Sequence, residues 1–164
     1  MRAAAYTRYS TRPPKVPLSQ WFHVAERFRK AVRGQPEIAL LRRRLRVIGG
    51  DMLVPAPGDV DNAISTLLAE GVVMSGPVVL HEMRPSHCHE NVGRAWQQRF
   101  KGLVSLCTGY ALSTDGLWRQ HWWGLLDSGV LETTVPRETY FGIAFPPEML
   151  DELAAHLLEG GGPA

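Results

Sequence analysis

The order of patterns along this chain predicts an α+β fold, with helices packed on an antiparallel β-sheet of about four strands. Three observations carry that expectation. Residues 20–70 hold apolar positions at three- and four-residue steps, the helical period. Residues 103–145 instead read as successive strand-like runs separated by turn dipeptides, the pattern of a meander. A helix follows at the end, and helices segregated from strands argue for α+β rather than alternating α/β. With 164 residues, 45% hydrophobic and 21% charged, the chain is about one domain long and can bury a core without staples.

The elements follow in order. Residues 1–19 hold three prolines and little periodicity, and read as an extended or disordered arm. A single domain over 20–164 comes next, helical over 20–70. Ser19 is the expected cap of a helix running to Arg33 and ended by Gly34. Pro36 opens a second helix with Ile38, Leu41, Leu45 and Ile48 on one face, stopped by Gly49-Gly50. Asp59 or Asp61 is the expected cap of a third, through Glu70. Val72-Val73 and Pro77–Leu80 read as short extended segments. A helix over Asn91–Lys101 ends at Gly102. Strands are expected over Leu103–Ser113, Leu117–Asp127, Val130–Val135 and Thr139–Phe145. Thr114-Asp115-Gly116 and Ser128-Gly129 are the turns between the first three. Pro146-Pro147 opens a last helix, residues 147–159.

Charge is unevenly spread. Residues 1–46 carry twelve Lys/Arg and two acids, Glu26 and Glu37, while residues 47–164 carry six Lys/Arg and fourteen acids. Either the basic half folds against the acidic half of the same chain, or it meets an acidic partner such as a carrier protein or leader peptide. No nucleic-acid motif with defined spacing is present. No apolar run is long enough for a membrane-spanning helix, and the Arg- and Pro-rich start lacks the apolar stretch of a secretory signal. Two cysteines, Cys88 and Cys107, make no disulfide framework, so a reduced, cytoplasmic protein is expected.

Chemistry concentrates in three segments: Ser86-His87-Cys88-His89-Glu90-Asn91, Gln120-His121-Trp122-Trp123 and Leu131-Glu132-Thr133-Thr134. Cys88 falls at or just before the first turn of a helix, where free backbone N–H groups and the helix dipole favour a thiolate. His121, two elements later, is the candidate general base. Glu132, on the next strand, is the candidate acid that orients the imidazole. Register complicates the last assignment. With Ser128-Gly129 as a two-residue turn, His121 faces Pro136, and Glu132 lies four residues along, about 13 Å at roughly 3.3 Å per residue. A bulge, or a turn centred nearer Leu126, closes that gap; Glu138 is the alternative acid.

These residues carry a resemblance. Gly102–Leu112 with its Cys107-Thr108-Gly109-Tyr110 centre, then His121-Trp122, then a Gly-containing turn and Glu132-Thr133-Thr134, look like the transglutaminase-like branch of the papain-like cysteine enzymes, over about residues 85–135. The order Cys, His, acid along the chain is the specific part. The resemblance implies a papain/transglutaminase-like core with Cys88 as nucleophile, His121 as base and Glu132 where the family has Asp. It implies thiol-dependent amide or acyl chemistry: an amidohydrolase, deamidase or peptidase, or an acyl transferase, on a peptide or small-molecule amide or thioester. No cofactor is implied. Trp118, Trp122, Trp123 and Arg119 are candidate substrate-binding residues, against the alternatives of strand packing for the tryptophans and a solvated face for the arginine.

Other readings stand beside this one. The core would also serve as the scaffold of a non-catalytic binding or accessory protein, since fold does not imply function. His81, His87, Cys88 and His89 lie within nine residues, and imidazole with thiolate suits zinc. Adjacent residues point in different directions, however, and no metal-binding spacing motif is present. Cys107, among Val104, Leu106 and Thr108, reads as core.

Overall fold

A computed structural model describes residues 15–58 and 63–160. The fold is α+β, as expected, but the sheet is larger and differently wired. It has seven strands rather than four, and it is mixed rather than antiparallel. The expected arm over residues 1–14 and the caps Asp59 and Asp61 lie outside the described residues.

Helix α1 (Leu18–Gly34) turns Val24 and Phe28 inward. It begins one residue before Ser19, and Pro17 rather than Ser19 occupies the cap position, its carbonyl accepting the Trp21 N–H. Helix α2 (Glu37–Ile48) follows and buries Ile38, Leu41 and Leu45, the predicted face. A short strand β1 (Met52–Leu53) and helix α3 (Ile64–Glu70) complete the helical half. Then come β2 (Val72–Met74), β3 (Val78–Leu80) and α4 (Cys88–Gln97). The long strands are β4 (Leu103–Leu112) and β5 (Leu117–Leu126), followed by β6 (Gly129–Glu132) and β7 (Thr139–Ala144). A single 3-10 turn, Pro147–Met149, leads into α5 (Leu150–Leu158).

The strands run in the order β2-β7-β4-β5-β6-β3, with β1 beside β5. Two pairings depart from a meander. Strand β7 does not follow β6 across the sheet but pairs with β4, Gly109 facing Gly142. Strands β1 and β3 run parallel to β5 and β6, because each arrives from the helical half rather than through a hairpin. The two outermost strands, β2 and β3, are joined by only three residues, 75–77. Such a connection spans at most about 14 Å, so the opposite edges are drawn together and the sheet curls on itself.

Curling gives the sheet an inner and an outer face. Met74, Cys107, Ala111, Trp123, Val130 and Tyr140 cluster on the inner face. On the outer face, Tyr110, Leu112, Trp118 and Phe141 receive Phe28, Ile38, Leu41 and Leu45 from α1 and α2. Further along the same face, Leu106 receives Val92 of α4 and Leu150, Ala154 and Leu157 around α5. Gly142 is required for closeness: a Cβ there would collide with the Thr108 carbonyl and the Trp123 ring. No helix among the described residues is long and apolar enough to cross a membrane.

Candidate active site

Strand β5 positions the site through a gap along one of its edges. That edge pairs with β1 at Leu117 and Trp118 and with β6 from Gly124 to Leu126. Between them, residues 119–123 have no strand neighbour on that side, and the start of α4 reaches this opening. Backbone geometry delivers it there: Ser86 adopts a left-handed φ of 61°, His87 occupies the cap position, and Cys88 is the first helical residue. The helix therefore begins three residues earlier than Asn91, and Cys88 stands on its free N–H groups.

The Cys88 thiol is half-buried. Burial pushes its pKa up. The hydrogen bond and charge of His121, with the backbone N–H groups of Trp122 and His89, outweigh that and hold it below the ordinary thiol value. The Trp122 N–H belongs to the unpaired stretch of β5, and the His89 N–H to the first turn of α4. Both are donors that secondary structure leaves over, and both lie against the sulfur.

His121 is 3% exposed and Glu132 is fully buried. The imidazole Nε2 lies 2.9 Å from Glu132 Oε2 and 3.1 Å from Oε1, which leaves Nδ1 as the ring nitrogen for Cys88. Burial pulls the His121 pKa down, but hydrogen bonds to Cys88 and Glu132 and their negative charge lift it above the usual value. Glu132 shows the opposite shift. Burial raises its pKa, and the His121 bond and charge, with the Thr134 N–H and Tyr140 hydroxyl, bring it well below the carboxylate range. Oε1 accepts from the Thr133 N–H at 2.9 Å, the Thr134 N–H at 2.8 Å and the Thr134 hydroxyl at 2.9 Å. Oε2 accepts from the Tyr140 hydroxyl at 2.9 Å. A carboxylate with this many donors is stable without water.

The hairpin register explains how His121 and Glu132 meet. Leu126 pairs with Gly129, so Asp127-Ser128, not Ser128-Gly129, is the two-residue turn. That shift moves the partner of His121 from Pro136 toward Thr134 and sets Glu132 one diagonal step away on the same face. Diagonal neighbours about 7–8 Å apart lie within reach of long side chains. The smallness of Gly129 serves packing rather than the turn. A Cβ there would collide with the Pro77 carbonyl, which accepts the Val130 N–H at 2.9 Å.

Other sequence candidates separate clearly. Trp122 is half-buried at the gap and stacks on Phe145, ring centroids 5.6 Å apart and nearly parallel. Trp118 and Trp123 are wholly buried, their indole N–H groups donating to the Gly49 carbonyl and the Met74 sulfur; neither presents surface to a ligand. Arg119 donates two hydrogen bonds, 2.9 and 2.7 Å, to Asp115. Glu138 is exposed, 3.9 Å from Lys15, and not among the partners of His121. Cys107 is buried in the inner cluster, its thiol pushed up to about 12 by desolvation. His81 packs on Phe100 at 5.2 Å, and the rings of His87 and His89 lie 6.5 Å apart. Among the described residues no three His, Cys, Asp or Glu side chains converge on a metal-sized point.

Three further residues complete the constellation. Asn91, 3% exposed, donates from Nδ2 to the Arg84 carbonyl at 2.8 Å and to the Thr133 carbonyl at 3.4 Å. It ties the first turn of α4 to the residue after the acid. A polar side chain on the helix's buried face, beside Val92 and Ala95, was its visible signal. Thr134 stands beside Glu132 in sequence, but Tyr140 comes from the opposite side of the sheet order, and only the curl brings it there. Comparisons with protein-family models, curated proteins and solved structures found no match.

Proposed function

We propose that this protein performs thiol-dependent acyl chemistry through Cys88, His121 and Glu132. One observation carries the reading: a buried imidazole is held by the carboxylate of Glu132 through Nε2, and the thiol that opens α4 acts on the same ring. In that arrangement His121 takes the Cys88 proton as the thiolate forms, and Glu132 fixes the ring and offsets its charge. The Cys88 sulfur attacks the carbonyl carbon of an amide, ester or thioester. A C–S bond forms, the π electrons move onto oxygen, and N–H groups at the start of α4 face that negative charge. As the oxyanion collapses, the bond to the leaving group breaks and His121 hands over its proton. Water or an amine then attacks the thioester, losing a proton to His121, and the thiolate departs. The order Cys, His, acid and the placement of the thiol on a helix beside a curled sheet support the transglutaminase-like reading. Trp122, at the gap with part of its ring open, is the tryptophan that fits a substrate wall.

The test is the pH dependence of iodoacetamide alkylation, read separately at Cys88 and Cys107 by mass spectrometry, with and without a chelator. Cys88 is expected to react well below pH 7 while Cys107 stays protected. In His121→Ala the Cys88 profile should move up to the ordinary thiol range near pH 8.5. An ordinary profile in the wild-type chain would sink the proposal. So would reactivity that appears only after chelation, which would make Cys88 a metal ligand.

A further inference from the structure

Ion pairing among the described residues bears on the two explanations of the charge asymmetry. If the basic half neutralised the acidic half, ion pairs would cross between them. Among the described residues one does, Lys15 to Glu138 at 3.9 Å between two exposed side chains. Arg29 instead pairs with Glu26 on its own helix. Arg27 and Arg44 are spent on backbone carbonyls, of Pro55 and of Leu68 and Gly71. Lys30, Arg33, Arg43 and Arg46 pair with no acid among the described residues, which include twelve of the fourteen acids beyond residue 46.

Two of these cations, Arg43 and Arg46, line a shaped feature. A cavity of about 460 Å³ opens between α1 and α2, lined by Phe28, Ala39, Arg42, Arg43, Arg46 and Val47. Its chemistry is divided. Phe28 and Ala39 supply apolar walls, and the Arg42 guanidinium lies 4.7 Å over the Phe28 ring. Val47 is 86% exposed and Leu40, on the same helix, 52%. Exposed aliphatic side chains beside Arg43 and Arg46, which no described acid holds, offer a partner apolar and ionic contacts at one place. Arginine is also the side chain best suited to paired contacts with carboxylates.

We propose that the α1–α2 face is a docking site for an acidic peptide segment of a partner protein, whose Asp and Glu side chains meet Arg43 and Arg46 while one large apolar side chain enters the cavity over Phe28. A peptide fits better than a small metabolite because the exposed Leu40, two turns before Val47 on the same side of α2, extends the apolar strip beyond the cavity. It fits better than a nucleic acid because the cavity's one aromatic ring is already covered by Arg42, leaving no open platform for a base to stack on. The site lies apart from Cys88: α2 packs with α1 and α3 on one part of the sheet's outer face, and α4 with α5 on another. The inference therefore stands or falls independently of the thiol chemistry.

Fluorescence anisotropy of the full chain with a labelled peptide tests it, using one Leu flanked by Asp and Glu on each side. The same peptide with Asn and Gln in place of the acids, and a single-stranded oligothymidine of equal charge, are the comparisons. The acidic peptide is expected to bind, the neutral one not. Raising salt toward 1 M, where the screening length falls to about 3 Å, should weaken binding at least roughly tenfold. Arg43→Gln with Arg46→Gln should do the same without shifting the Cys88 alkylation profile, which shows that the double variant is folded. Val47→Asp should weaken binding on its own. Equal binding of the acidic and neutral peptides, or binding unchanged in the double Gln variant, would overturn the proposal. Tighter binding of the oligonucleotide would replace it with a nucleic-acid surface.

Discussion

A buried carboxylate is stable only where donors replace its water, and Glu132 collects them from His121, Thr133, Thr134 and Tyr140. The residue is thus part of the folding energetics as well as the candidate chemistry. Glu132→Ala leaves an imidazole and a tyrosine hydroxyl buried without their partner, and should cost about 3–5 kcal/mol in a urea titration. Glu132→Gln keeps the shape and removes the charge; it should lower the His121 pKa and slow Cys88 alkylation near neutral pH. Glu138→Gln should do neither, since that exposed pair with Lys15 contributes about 0–1 kcal/mol. Tyr140→Phe removes a donor to a charged acceptor and should cost about 1.5–3 kcal/mol. A Tyr140→Phe protein as stable as wild type would mean the hydroxyl does not hold the acid.

The site at the scale of elements is a matter of register and of one helix start. The Asp127-Ser128 turn sets β6 so that Glu132 lies diagonal to His121, and β3 presses against Gly129 from the other side. Gly129→Ala must move β3 away from β6 or shift the turn. We expect a lower melting temperature and loss of the low-pH alkylation of Cys88 together, and loss of stability alone would mean the register survives. Asn91 acts between elements, joining α4 to the Thr133 carbonyl. Asn91→Ala should raise the alkylation pKa of Cys88 while leaving Glu132 and His121 paired. Two-dimensional NMR of the His121 ring should therefore change little; a collapsed imidazole signal would place Asn91 in the acid's support instead.

For the whole molecule, the buried pair ties stability to pH with a definite sign. Folding raises the His121 pKa, so its contribution is complete below the unfolded value near 6.5 and fades as pH rises through the folded value. Folding lowers the Glu132 pKa, so its contribution is complete above the unfolded value near 4.3 and fades as pH falls through the folded value. The two titrate as one coupled unit. In Cys88→Ala, which also removes one support of the raised His121 value, the Glu132 flank remains, and stability should decline as pH falls below about 5. Melting temperatures across pH 3–9 check this. Adding Glu132→Gln should flatten that acid-side decline; an unchanged decline would assign it to other groups.

Sequence alone determined what depends on local pattern and short range. The apolar period of Ile38, Leu41 and Leu45 defines α2 whatever surrounds it. The alternation and turn dipeptides of residues 103–145 define four strands, and Cys88, His121 and Glu132 were visible as chemistry-bearing residues in order. Tertiary structure alone decided which strands meet. Strands β1 and β3 hold two and three residues, too few for a period to register, and their partners lie far along the chain. The glycine at 129 looked like a turn because backbone freedom and absence of a side chain leave the same mark in a sequence. Tyr140 reached the acid only because a three-residue link between β2 and β3 curls the sheet. Chemistry was legible residue by residue; proximity was not, because long-range pairing is set by the packing of the whole chain.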